Sequence, residues 1–536
     1  MSRPRVFVRE ATGLVRQVGL WDSVLLNIES NTFGMSLIYY TLILAQFPGG
    51  DIVLAAALGA LLCVPQAIAY ASMSTAMPRS GGDYVFISRG LHPALAVAAS
   101  LSITIWFMFW TGAYSNWALS IGAATALQAT GSVLENPTLL GMAASATEIP
   151  WILLFGSILI LAMCYIAGRS TRLTFKLLDV MVVLGIVGVF LWTVLLGATD
   201  RATFISDFNT YAMRYVGDPD YYHTILKTAR DAGLDLAAPP SWLAMINMLP
   251  FAAYIYPYLA AQSCVGGEVK DPGKNFFLGL LINLFISGVM VSAAMWALLN
   301  AAGYDFIMAA DYIFVNGLEY GLPTPPFITL FAGIVTDNVI LHALMAIGFI
   351  CWVAAVVIIN CIQVPRWLFA MSLDRILPEK LSSVSRYGTP WVGVLVMAVG
   401  AEIMIFIFTF YAGVLATVSA AFGNIVATFM VACIAAAVLP FRKQMKTIYE
   451  TAPRLATLKI AGYPVMSLAG ILGTLFLGWV SYMYATVPAY GANAPTSLAA
   501  VAGIYVFGLL VYFAAKAYRA RQGIDVRLAF QEIPPV

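Results

Sequence analysis

Two stretches decide the fold: Asn27-Ile28-Glu29-Ser30-Asn31-Thr32-Phe33-Gly34 and Pro250-Phe251-Ala252-Ala253-Tyr254-Ile255-Tyr256-Pro257. Each lies inside a long apolar segment that a continuous helix should fill. In the first, side chains such as Asn31 and Thr32 compete for backbone hydrogen bonds. In the second, each proline removes a backbone donor and clashes with the preceding turn. The interruptions fall at similar depths, one past Trp21 and the other past Trp242. Five is an odd number of crossings, so a repeat of segments one to five as six to ten runs the opposite way through a bilayer. Interrupted helices at matching places in two inverted halves point to a transporter's substrate site.

The composition agrees with lipid as the main solvent. The chain has 536 residues, of which 61% are hydrophobic and 10% charged. A soluble domain carries roughly 25% charged residues. Mean hydropathy is +0.86. A net charge of +2 is too small to suggest a nucleic-acid partner. The basic N-terminus is followed by no short apolar run with a small-residue cleavage site, so no removable leader is expected.

A helical span needs about 20 mainly apolar residues. Twelve segments qualify, at about 21–46, 51–77, 93–127, 150–168, 173–197, 242–266, 276–302, 328–364, 391–411, 413–439, 464–487 and 497–516. The expected fold class is an all-α polytopic membrane protein. It has a five-plus-five inverted repeat (about 16–197 and 242–440) within a transport core over 1–440. Two additional helices over 441–516 and a tail over 517–536 follow. If the N-terminus is inside, all but four of the 28 Lys and Arg fall on inner segments. The four exceptions, Arg201, Arg214, Lys227 and Arg230, share one long outer loop over 198–241. That bias predicts cytoplasmic termini, and a cell (plasma) membrane location is expected. Within the loop, 220–233 reads as a short helix capped by Asp220 and stopped by Gly233.

Broken ends dictate a chemistry. A half-helix starting near Gly34 presents free N–H groups and a positive dipole end, which suit a carboxylate. Half-helices ending near Ser30 and Ile255 present free carbonyls, which suit an ammonium. A zwitterionic amino acid matches both. The candidate substrate-binding residues are therefore Ser30, Asn31, Thr32 and Gly34 in the first break, with Tyr254, Ile255, Tyr256 and Pro257 in the second. Tyr258, Trp106, Phe107 and Trp110 could add an aromatic wall or merely pack. Glu29, one turn before the first break, is the coupling candidate. An intramembrane carboxyl is costly unless it faces the interior, and it could carry a proton or meet a substrate ammonium. A polyamine would want further carboxylates, so a neutral amino acid is preferred.

Three connecting motifs carry a resemblance. They are Met77-Pro78-Arg79-Ser80-Gly81-Gly82-Asp83-Tyr84-Val85 with Ser88-Arg89, and Gly267-Glu268-Val269-Lys270-Asp271-Pro272-Gly273-Lys274-Asn275. The third is Pro365-Arg366 with Met371, Asp374-Arg375-Ile376-Leu377-Pro378 and Tyr387-Gly388-Thr389-Pro390. In content, order and spacing the chain resembles the amino acid–polyamine–organocation transporter superfamily over nearly its whole length. The resemblance implies a leucine-transporter-type inverted repeat with substrate at the unwound parts of spans one and six. In that family the motifs connect helices at the inner face. The family's Phe-Ala-Tyr-Ile-Gly-Phe stretch falls on Tyr254 to Leu259, where only Tyr256 matches. The span-one carboxylate site, about Asn31–Ser36, holds the single glycine Gly34. These departures leave the substrate open between an amino acid and a polyamine or other organic amine.

Other classes find little support. The three histidines, His92, His223 and His342, are far apart, and no His-Glu-x-x-His run or other catalytic or metal-ligating set is present, so neither an enzyme nor a cofactor is expected. The six cysteines lie in or beside apolar segments and read as packing residues. No filter-like repeat suggests a channel, and no signalling domain suggests a receptor. Sodium-coupled relatives hold the ion with hydroxyls of span eight, but 338–360 contains no Ser or Thr. A lysine inside span five, used by some proton-linked relatives, is also missing, since Lys176 stands at the start of that span. Asp179 and Glu402 are weaker coupling candidates. Sodium-independent, proton-linked or exchange transport is expected, with Glu29 as the coupling group.

Overall fold

A computed structural model describes residues 16–253, 255–411 and 415–532. The chain is built from helices in the order α1 (Leu20–Ser30), α2 (Phe33–Tyr40), α3 (Ile52–Leu62), α4 (Val64–Ala76), α5 (Gly82–Gly90), α6 (Pro93–Trp117), α7 (Ala124–Val133), α8 (Pro137–Ser145), α9 (Ile149–Arg169) and α10 (Thr171–Ala198). There follow α11 (Arg201–Val216), α12 (Tyr221–Asp231), α13 (Trp242–Ala252), α14 (Ala260–Cys264), α15 (Pro272–Ala302), α16 (Tyr304–Val315), α17 (Ile328–Ile334) and α18 (Val339–Leu373). The last are α19 (Trp391–Phe410), α20 (Leu415–Val438), α21 (Lys446–Glu450), α22 (Val465–Thr486) and α23 (Pro495–Arg521). One two-residue hairpin, Lys459–Ile460 against Tyr463–Pro464, lies before α22.

Among the described residues, nine helices are long and apolar enough to cross a membrane, or ten if a bent pair meeting at 441–443 is one span. The tenth expected span enters only with that bent pair, and those missing from either count are the first and the sixth. Each is split into pieces too short to cross alone, as the polar and proline-bearing stretches demand. Outward-facing positions are apolar: Phe285 is 72% exposed, Leu475 65% and Leu510 63%. Water would not leave such surfaces uncovered, but lipid solvates them.

Small residues let the helices approach closely, as expected where lipid removes the usual hydrophobic drive. A Cβ on Gly188 of α10 would lie 3.0 Å from the Gly348 Cα of α18. Gly112 of α6 abuts the Ile405 backbone of α19, and Gly470 of α22 abuts Ala437 of α20.

The motif loops converge on one end of the bundle, here termed the terminal end because Leu20 starts and Arg521 finishes there. Gln17 and Val18 donate backbone N–H groups to the Glu268 carbonyl, and Gly81 donates to that of Cys264. Arg89 makes two hydrogen bonds to Asp374, at 2.5 and 3.0 Å, in a fully buried pair.

The structure corrects some boundaries. The segment expected at 328–364 is two helices, α17 and α18, parted at Asn338, whose side chain caps Ile340 and Leu341. The long loop holds two helices rather than one. Asp200 caps α11 through Ala202 and Thr203, and Gly217 ends it in the left-handed region at φ 68°. Asp220 does precede α12, but its carboxylate bonds His223 Nδ1 at 2.6 Å instead of capping the helix. α23 continues past 516 to Arg521.

Candidate functional site

The first break is two residues long. α1 stops at Ser30, and Thr32, at φ 48° and ψ 29°, turns the chain into α2. A β-branched residue in the left-handed region is a steric outlier, and such strain persists only where neighbours enforce it. Span-seven groups do part of this. Asn31 Nδ2 donates to Asn283 Oδ1 at 3.1 Å and to Ser287 Oγ at 3.3 Å on α15. The opening N–H groups of α2 have no partner within that helix.

The second break runs from Ala253 to Leu259, between α13 and α14. Gln66 of α4 donates to the Pro257 carbonyl at 2.7 Å, replacing a donor that the helix would otherwise supply. The terminal-end halves of the broken segments are tied together. Asn27 Nδ2 donates to Gln262 Oε1 at 2.8 Å, and Gln262 Nε2 donates to the Asn275 carbonyl at 2.9 Å.

Between the breaks lies a small cavity of about 20 Å³. Ser30 and Thr32 line it from the first break and Tyr258 from the second. Phe107, Trp110 and Tyr114 of α6 and Val356, Ile359, Asn360 and Gln363 of α18 complete the wall. None of these side chains carries a charge. Tyr114 stands beside Thr32, next to the strained turn.

Packed groups flank the cavity on both sides. Towards the far end, Tyr114 packs on Trp117 at 5.5 Å between ring centres, and Trp117 on Tyr39 at 5.4 Å. Beyond them opens a second cavity of about 280 Å³, bordered by Ser36, Tyr39, Phe251, Ile255 and Tyr490. Towards the terminal end, Arg366 grips Glu268 with two bonds of 2.6 and 3.0 Å, both residues buried. Ser74 and Ser263 meet beside it at 2.7 Å.

The expected site residues divide. Ser30 and Thr32 reach the cavity. Asn31 turns to α15, and Gly34 packs on the Trp352 indole. Ile255 lines the far-end cavity, while Tyr256 is buried beside Gly59. Pro257 offers its carbonyl to Gln66. Tyr254 lies outside the described residues. Glu29 is fully buried, with no hydrogen bond to either carboxyl oxygen, and does not line the cavity. Of the aromatic candidates, Phe107, Trp110 and Tyr258 face the cavity and Trp106 does not. The α18 wall was missed, although Val356, Ile359, Asn360 and Gln363 follow helical spacing.

Helices broken at two facing places around a polar-apolar cavity define a membrane transport protein. The chain belongs to the amino acid permease family, which it matches over residues 19–510. It is therefore a transporter of amino acids and not an enzyme. It is similar to the branched-chain amino acid permease BcaP of Lactococcus lactis subsp. cremoris (strain MG1363), with 25% identity over 486 residues, 88% of each chain.

Proposed function

We propose that the chain moves a neutral, zwitterionic amino acid across the plasma membrane by alternating access. The observation that carries this reading is the uncharged cavity set between the two helix breaks. The α2 N-terminus would take the carboxylate and the carbonyls ending α1 the ammonium, as half-helix ends do. The branched-chain substrate class named for the similar permease is also neutral.

In this reading the two breaks are equivalent points of a five-plus-five inverted repeat over 1–440, two more helices make twelve spans, and the termini are cytoplasmic. The Glu268–Arg366 pair and the aromatic stack would then be the inner and outer closures. A polyamine is disfavoured because no carboxylate lines the cavity. Coupling is assigned to a proton on Glu29, whose buried, unpartnered carboxyl suits a group that is neutral at rest.

The decisive experiment is uptake and counterflow of radiolabelled amino acids in proteoliposomes. Saturable, sodium-independent counterflow of neutral amino acids is expected, and Glu29→Gln should retain exchange but lose pH-dependent uptake. No counterflow with any amino acid would overturn the function. A requirement for sodium, or an unchanged pH profile in Glu29→Gln, would overturn the coupling. A cysteine placed in 198–241 should react with an impermeant reagent from outside, and one at Ser382 should not.

A further inference from the structure

On α18 the cavity-facing stripe reads Val356, Ile359, Asn360, Gln363, and the last of these stands apart. Gln363 is fully buried and lines the cavity, yet neither its Oε1 nor its Nε2 has a hydrogen-bond partner. Asn360, one turn earlier, is engaged: its Nδ2 donates to Thr111 Oγ1 at 3.0 Å. The Gln363 backbone is occupied as well, its carbonyl accepting from Cys264 Sγ at 3.4 Å. Only the side-chain amide is idle. Buried polar groups are almost always paired, and one without a partner at a binding cavity calls for a specific explanation.

A carboxamide offers two donors and an acceptor, so its best counterpart offers both in return. The helix ends suited to the ammonium and carboxylate common to all amino acids lie on the broken segments, not on α18. The Gln363 amide therefore faces the part of the substrate that differs between amino acids. A charged side chain would enter a cavity with no charged lining to compensate it. An aliphatic one would satisfy Phe107, Val356 and Ile359 but leave the amide unpaired. A carboxamide side chain satisfies both, its short stem against the apolar wall and its tip on Gln363.

We infer that Gln363 is a specificity residue and that the preferred substrate is a neutral amino acid with a side-chain carboxamide. This rests on the proposed neutral amino acid transport. A site built to hydrogen-bond a substrate group rejects analogues lacking it far more strongly than an apolar pocket separates apolar ones. Competition against counterflow in wild-type proteoliposomes should therefore rank glutamine or asparagine at least about tenfold above leucine, isoleucine and valine. The similar-sized apolar variant Gln363→Met should collapse that ratio by about tenfold or more, with leucine gaining in absolute terms.

Wild-type preference for aliphatic amino acids would overturn the inference without help from any variant, and would leave the amino acid transport reading intact. An unchanged ratio in Gln363→Met would also overturn it, as would an equal loss for all substrates, which would place the amide on their common groups. Absence of transport for every amino acid would instead remove the reading beneath it.

Discussion

Gly34 and Trp352 touch so closely that a Cβ on Gly34 would lie 2.7 Å from the indole Cδ2. Gly185 of α10 presses on the same indole from its own helix. The ring is a wedge slotted between the start of α2 and the middle of α10, and two glycines make the slot. Gly34 is thus required by packing against α18, where sequence reasoning valued it for access to free N–H groups. Gly34→Ala should cost about 1–3 kcal/mol through overpacking, and Gly34→Leu should reduce both folded yield and transport. Trp352→Leu should partly restore stability to Gly34→Ala. Thermal unfolding of the purified variants checks this. Full stability of Gly34→Leu with lost binding would return the glycine to its original role.

How much could be read in advance follows from the range of the forces involved. The breaks were legible because Asn31, Thr32 and Pro257 act on their own turns of helix, although Pro250 is carried inside α13. The closing α18 wall was not. Val356, Ile359, Asn360 and Gln363 stand in a 35-residue helix whose inward face is chosen by tertiary neighbours such as Gly34 and Gly185, which pack on its Trp352, and Gly393, which packs on its Pro365. The Arg201–Val216 helix was legible but missed, since an Asp200 cap and a Gly217 stop both mark it. Tyr256 shows the opposite error. It is the one outright match to the family stretch, yet it packs behind the cavity against Gly59.

The Glu268–Arg366 pair joins the chain just after α14 to α18 with both partners buried. Removing one partner of such a pair leaves an uncompensated buried charge and costs about 3–5 kcal/mol. Arg366 also donates to the Ile362 carbonyl at 2.7 Å, so its loss should hurt more than that of Glu268. Glu268→Gln should loosen the terminal end. Cys264 then reports the opening, because its thiol is buried beside the pair. With the other five cysteines replaced by alanine, alkylation of Cys264 should speed up in Glu268→Gln. An unchanged rate would mean that the pair does not close this end.

Asp83 stands at the start of α5, in a connecting motif outside the membrane-spanning helices, and is fully buried. Burial pushes its carboxyl up to about 6, against a smaller lowering by the Tyr70 hydroxyl that donates to it. Between pH 4 and 6 the folded chain therefore binds more protons at this site than the unfolded chain. Stability should fall as pH rises through that window and level off above it. Asp83→Asn keeps an acceptor for Tyr70 and removes the ionisation. Above pH 6 it should be more stable than the wild type, by about 3 kcal/mol at most, and the gap should close towards pH 4. Unfolding midpoints measured from pH 4 to 8 test the sign. A variant less stable than the wild type at pH 7 would show that the carboxylate is needed in its charged form.

Thr32 concentrates the remaining question, because the turn that opens the first break is built on a residue poorly suited to it. Its left-handed backbone costs roughly 1–2 kcal/mol relative to ordinary geometry, and glycine would bear it without that penalty. Selection for stability alone would favour glycine here. The threonine side chain, however, lines the cavity together with Tyr114, and its hydroxyl pairs with Ser36 Oγ at 3.4 Å. Two variants separate backbone from side chain. Thr32→Gly should leave thermal stability equal or higher and still weaken transport, since the hydroxyl is gone. Thr32→Ser should hold transport near the wild type, because it keeps the oxygen and drops only the methyl. Uptake kinetics and unfolding midpoints of both variants decide the matter. If Thr32→Gly transported normally, the hydroxyl would have no part in the site and the break would rest on backbone geometry alone.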